Sequence, residues 1–288
     1  MVLRSLCSDV KWERSASTTP LERVALDWQQ CGDTAVFAEI HGLNAGAPHG
    51  RVVEIFGRAA AAGEQLGLAG TCLLEAQRWQ RAPASGAREN MAMRALAEMA
   101  GYYATATAHG LMNVTLRTLL LSPASADAIN RVRDYRSAKG FPPFSRTREA
   151  WRPFSSTEVG RLRPAVEAGN DTNVSAWYQT VAGLAEDARW QALTARRHED
   201  FHRWRPQSIA SGVTPKNPWE FDREHRVASL SFPVRYEPLD ASMLVTEAEK
   251  GLETLGDAMR RWMDAWPSAL RGLGCPIFKV EEPPPSES

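Results

Sequence analysis

The stretch "DTNVSAWYQTVAGLAEDARWQALTARRHEDFHRWRP", residues 171–206, decides the fold. Val174, Trp177, Val181, Leu184, Ala188, Ala192 and Ala195 recur at the three- and four-residue steps that line one face of an α-helix. Read as one element, this is a long helix from near Asp171 to about Trp204. Pro206 ends it, because a proline pushes the residue before it away from α geometry. Continued onward, the apolar stripe lands on Glu199 and His202, in line with the packed face.

Working outward, helical periodicity dominates the first two thirds of the chain. Pro20 to about Leu43 reads as one or two helices around Gly32, and Arg51–Gln80 as a second segment rich in Ala and Leu. The longest pattern, Arg88–Leu121, carries Met91, Leu96, Met99, Tyr103, Leu111, Val114 and Leu120, and "SPASAD" closes it with Pro123. A shorter helix, Ala124 to about Ala138, leads into the ordered loop "KGFPPFSRTREAWRPFSS". "SSTEVGRLRP" then carries a Ser/Thr-x-x-Glu-like helix start. Beyond residue 206, "SIASGVTPKNPWEFDREH" reads as a long irregular connection, and "RVASLSFPVRY" is the best strand candidate. A last helix runs from about Asp240 to Leu270, before a tail, "EEPPPSES", of disordered composition.

The fold expected is mainly α: a bundle of the helices at about 51–80, 88–121 and 171–204, with peripheral N- and C-terminal helices and at most one short β element. Residues 1–275 are expected to form a single mainly helical domain, with a bundle core at about 51–206 and a C-terminal extension at 207–275. Residues 276–288 are expected to be a disordered tail.

Composition narrows the function classes. With 43% hydrophobic and 24% charged residues, a chain of 288 residues is long enough to bury a core of its own. Its 34 basic and 34 acidic residues cancel, so binding to nucleic acid or membrane needs a local patch. Arginine dominates that basic set, 29 against five lysines, and its planar fork suits phosphates and carboxylates. Cys7, Cys31, Cys72 and Cys275 are scattered, without the short spacings of a metal knuckle or a disulfide framework. The N-terminal residues lack the apolar run of a signal peptide, and no stretch has the length of a membrane span. These features fit a cytoplasmic protein with reduced thiols and no membrane partner.

The end of the opening stretch, "LTARRHEDFHRWRPQS" (193–208), supports three readings. His198-Glu199-Asp200-Phe201-His202 spells H-E-x-x-H, which on a helix puts two histidines on one face with Glu199 as general base of a zinc metallohydrolase. Six His and 22 Glu predict about 0.01 such matches in a chain of this composition, so the pattern is rare. Its context argues the other way. Arg196, Asp200 and Arg203 charge the flanks, no strand precedes the motif, and the G-x-x-H extension is absent, because position 205 is Arg where the extended zinc motif has Gly. Glu220, Glu224 and His225 are possible third ligands, and spacing selects none of them.

The second reading is R-x4-H, from Arg197 to His202. An Arg separated from a following His by four to six residues is expected about 1.8 times by chance, yet His202 is the one histidine that has it, from Arg197 and Arg196. Located on a long helix of a helical chain, with a polar residue after the Arg, this segment resembles the HEPN superfamily (higher eukaryotes and prokaryotes nucleotide-binding). That superfamily consists of helical-bundle proteins found among toxin ribonucleases and phage-defence systems. The resemblance is close over 171–206 and loose over 51–121; residues 207–288 are outside it. It implies a metal-independent endoribonuclease with Arg197, His202 and His198 as catalytic residues, no cofactor, and a site where two copies pair. It also implies RNA as substrate and an antitoxin or regulatory protein as a further partner.

The residue types suit that chemistry. Cleavage of RNA by its own 2′-hydroxyl needs a group that moves a proton near neutral pH, which histidine is, and a fixed cation for the charge developing at phosphorus, which a guanidinium is. Arg196, Arg203 and Arg205 would hold the phosphate backbone, with Trp204 stacked on a base. Residues five apart on an ideal helix stand about 140° apart around its axis. Arg197 and His202 therefore meet at one phosphate only if the helix bends before Pro206 or a second copy contributes, and one motif per chain favours a homodimer.

The third reading gives the same residues no role beyond folding. Glu199 and Arg203 form a favourable i, i+4 pair, arginines late in a helix complement its dipole, and Trp204 anchors the helix end. A bundle with this end is a non-catalytic adaptor or RNA-binding module. His109 and Asn113, one turn apart on the longest helix, read either as supports for a site or as polar groups satisfied within the bundle.

Overall fold

The computed structural model of the chain describes residues 19–40, 47–81, 87–132, 151–202, 219–222, 227–230 and 241–274. The described part is a mainly α helical bundle.

Helix α1 (Pro20–Ile40) starts in a capping box: the Thr19 amide donates to Glu22 Oε2 (2.7 Å) and the Glu22 amide to Thr19 Oγ1 (3.2 Å), with Pro20 in the first turn. Gly32 does not interrupt it. Helix α2 (Ala47–Gln80) packs against α1 so closely that a Cβ at Gly63 would lie 2.7 Å from the Ala25 carbonyl oxygen, which makes glycine obligatory there. Helix α3 (Ala87–Leu119) packs along α2. Helix α4 (Pro123–Arg131) begins with proline in its first turn; the rest of the expected 124–138 helix and most of the 139–156 loop lie outside the described residues.

Two short helices follow. In α5 (Ser156–Gly160) the Ser155 side chain accepts from the Glu158 amide, as the Ser/Thr-x-x-Glu spacing anticipates. After α6 (Arg163–Gly169) the chain turns through Asn170 in the left-handed region (φ 43°). Asp171 then caps the next helix, accepting from the Asn173 and Val174 amides.

Residues 171–204 are not one helix. They form α7 (Thr172–Glu186) and α8 (Ala188–His202), separated at Asp187, whose backbone is extended (φ −68°, ψ 125°). Asp187 Oδ1 accepts from the amides of Arg189 (2.8 Å) and Trp190 (3.4 Å), so it caps a new helix. The break resets the stripe. Ala188, Ala192 and Ala195 are exposed, and α8 buries Trp190 and Leu193 instead.

The short β element is an antiparallel pair, β1 (Trp219–Asp222) with β2 (Val227–Leu230), with Trp219 opposite Leu230 and Asp222 opposite Val227. β2 lies in the expected strand, whereas β1 falls in the stretch expected to be irregular. Helix α9 (Ala241–Gly272) closes the described chain.

The terminal helices, expected at the periphery, carry the centre of the core. Trp262 of α9 stacks within 5.0 Å of Trp28 (α1), 5.2 Å of Trp177 (α7) and 4.8 Å of Trp266, and all four indoles are buried. The Trp28 Nε1–H donates to the Met259 carbonyl (3.2 Å) and the Trp262 Nε1–H to Thr115 Oγ1 (3.0 Å). The apolar positions of α9, from Leu244 through Leu252, Leu255 and Met259 to Ala269, form one continuous buried face, which a merely appended extension would not show.

Candidate functional site

The motif lies at the end of α8, and the packing of that helix begins with two apolar residues. Leu193 fits against α9 where Gly251 leaves room: a Cβ there would lie 2.5 Å from Leu193 Cδ2. Gly101 of α3 receives the other methyl, Leu193 Cδ1, at 3.3 Å from a Cβ position. Trp190 meets Phe154 edge-to-face, with centroids 5.8 Å apart at 89°.

One turn beyond Leu193 the attachment becomes polar. Arg196 forks onto Glu247 of α9, Nε to Oε2 at 3.1 Å and Nη2 to Oε1 at 3.0 Å, with both side chains about one-quarter exposed. A guanidinium expected to hold an RNA phosphate is thus held by a carboxylate of its own chain, in the bidentate geometry that a phosphate would use.

The backbone of Arg197, His198, Glu199 and His202 belongs to α8, which is helical without interruption through His202. Their side chains lie outside the described residues, as do Arg203, Trp204 and Arg205 entirely. An unbroken helix keeps positions 197 and 202 about 140° apart around the axis and about 7.5 Å apart along it. The α-helical backbone runs without a break between the two positions.

A second polar constellation, of which His109 and Asn113 are visible in the sequence, lies on α3. His109, Asn113 and Arg117 follow at one-turn intervals. Asn113 grips residue 152 by both backbone groups: Oδ1 accepts from the Arg152 amide (3.0 Å) and Nδ2 donates to the Arg152 carbonyl (2.7 Å). His109 Nδ1 accepts from the Phe154 amide (2.8 Å). These two residues thus satisfy the backbone of segment 151–155, the plainer of the two roles open to them.

Arg117 is buried, its Nη1 at 3.3 Å from Asn113 Oδ1 and its Nε at 3.7 Å from Glu54 Oε1 of α2, which Arg58 also binds at 2.8 Å. Burial, reinforced by the charge of Arg58 and opposed by Glu54, pushes the Arg117 pKa down to about 10. The signal for Arg117 was present in its i+4 spacing from Asn113, but a lone arginine in an apolar stretch names no partner, and Glu54 lies 63 positions earlier in the chain.

A half-open cavity of about 390 Å³ lies between α1, α2 and α9, floored by Leu21, Val24, Leu73 and Leu252 and rimmed by Glu253 and Arg260. Arg196, the one residue of the motif region whose side chain is described, does not line it. Among the described residues no three His, Cys, Asp or Glu side chains gather as a metal site, and no helix is long and apolar enough to cross a membrane. The side chains of His198, Glu199, His202 and Glu220, and all of Glu224 and His225, lie outside that search. No family model, curated protein or solved structure matches the chain.

Proposed function

We propose that the protein is a metal-independent endoribonuclease of HEPN type, acting in the cytoplasm as a homodimer in a toxin or phage-defence role, with an antitoxin or regulatory protein as its partner. The observation that carries this reading is the single R-x4-H pair at the C-terminal end of α8, an unbroken helix in a mainly α bundle.

In the reaction, His202 takes the proton of the ribose 2′-hydroxyl as its oxygen attacks the adjacent phosphorus, and Arg197 balances the charge on the phosphoryl oxygens. The P–O5′ bond breaks, and the leaving 5′-oxygen receives a proton from a second imidazole, for which His198 is the candidate. The products are a 2′,3′-cyclic phosphate and a 5′-hydroxyl. Because α8 holds positions 197 and 202 on different sides, the reading pairs Arg197 of one copy with His202 of the other. Arg196, Arg203, Arg205 and Trp204 then bind the strand, Arg196 by exchanging Glu247 for a phosphate.

Incubating the pure protein with structured and unstructured RNA in EDTA tests the reading: cleavage to 2′,3′-cyclic ends is expected, and Arg197→Ala or His202→Ala abolishes it. Cleavage that persists in both variants ends the proposal. Cleavage blocked by the chelator turns it toward zinc at His198, Glu199 and His202. The Arg196–Glu247 pair favours a second reading, a non-catalytic helical adaptor or RNA-binding module, since it commits one of the expected phosphate contacts within the chain.

A further inference from the structure

We propose that His109 is a proton-operated latch holding segment 152–154 against the bundle. The Phe154 amide can only donate, so His109 Nδ1, 2.8 Å away, carries no hydrogen, and the latched ring is neutral with its proton on Nε2. Imidazole is the side chain that ordinarily gains a proton just below neutral pH. A proton on Nδ1 sets N–H against N–H, and the bond is lost rather than weakened.

Among the described hydrogen bonds of the segment, the others do not titrate. Asn113 holds both backbone groups of Arg152 at 3.0 and 2.7 Å whatever the pH, and Ser155 caps α5 with a hydroxyl. Between these fixed points Phe154 alone is released. Its ring packs edge-on against Trp190, the first buried residue of α8, so opening the latch removes a wall from the base of the motif helix.

Among the described residues, the charged groups on the surrounding elements include Arg152 on the segment itself, the Glu158–Arg161 pair at α5, Arg117 two turns along α3, Glu54 and Arg58 on α2, and the Asp187–Arg189 pair beside Trp190 at the start of α8.

The test is amide hydrogen exchange at Phe154, corrected for intrinsic rate, measured by NMR on the full chain from pH 8 to pH 5 with the His109 ring nitrogens followed in parallel. The protection of Phe154 is expected to fall roughly 5- to 10-fold, the equilibrium worth of one hydrogen bond, in step with the His109 titration, while that of Arg152 stays constant. In His109→Gln, whose carbonyl accepts at every pH, the pH dependence disappears. Constant Phe154 protection in the wild type, or a His109 ring that gains no proton over the range, overturns the proposal. The wild-type titration decides it even where the variant does not fold.

Discussion

Helices α8 and α9 lie against each other and are held in opposite ways. α9 buries an unbroken apolar face and supplies two of the four core indoles, whereas α8 buries Trp190 and Leu193 and is then tied by the Arg196–Glu247 fork. Apolar burial at about 25 cal/mol per Å2 outweighs a partly exposed ion pair worth ~0.2–1 kcal/mol, so stability resides in α9. The candidate chemistry stands at the end of the helix that contributes less. Loosening α8 should leave the bundle folded; loosening α9 should not.

The largest effect expected is at Trp262. Trp262→Ala empties the centre of the indole cluster and leaves Thr115 without its donor, and chemical denaturation should show a loss of about 3–5 kcal/mol. A loss below about 1 kcal/mol would mean that α9 is not the keystone.

An intermediate effect tests the seam between the helices. Gly251→Ala gains up to about 1 kcal/mol of helix propensity but drives a methyl into Leu193, and overpacking should prevail with a net destabilisation of about 1–2 kcal/mol. In a Leu193→Ala background the same change should be neutral or stabilising, a coupling that denaturation of the double variant measures directly.

The smallest effect is at the fork. A double-mutant cycle of Arg196→Ala and Glu247→Ala should return a coupling of ~0.2–1 kcal/mol, smaller in high salt, because both partners keep about a quarter of their side-chain surface in water. A coupling above about 2 kcal/mol would make α8 as firmly held as α9 and erase the contrast.

Much of the fold was legible because the dominant signal, apolar residues at helical spacing, is local. The bounds of α2, α3 and α9 fall close to those read from the sequence. The break at Asp187 was not read, since Ala188, Ala192 and Ala195 kept the helical period; alanine is small enough to sit on an exposed face as readily as a buried one. Asp187 two residues ahead of Arg189 was the available signal, an N-cap candidate in the middle of a run. The place of α9 at the centre could not be read, because periodicity says which face is apolar but not what covers it. At the site, the motif was legible as a string, whereas Glu247, the partner of Arg196, lies 51 positions away and only folding brings it near. The His109–Asn113–Arg117 row was half legible: its spacing was visible, and its partners, a backbone segment and Glu54, were not.

The central claim, that Arg197 and His202 of different copies build one RNA-cleaving site while the fold is held elsewhere, meets its most direct test in complementation. Arg197→Ala and His202→Ala are each expected to be inactive in EDTA with melting temperatures near that of the wild type. Mixed and allowed to exchange subunits, they should recover about a quarter of wild-type cleavage, since half of the dimers are mixed and each mixed dimer keeps one of its two sites. Cleavage by either variant alone, or a mixture as inactive as its components, would contradict the account.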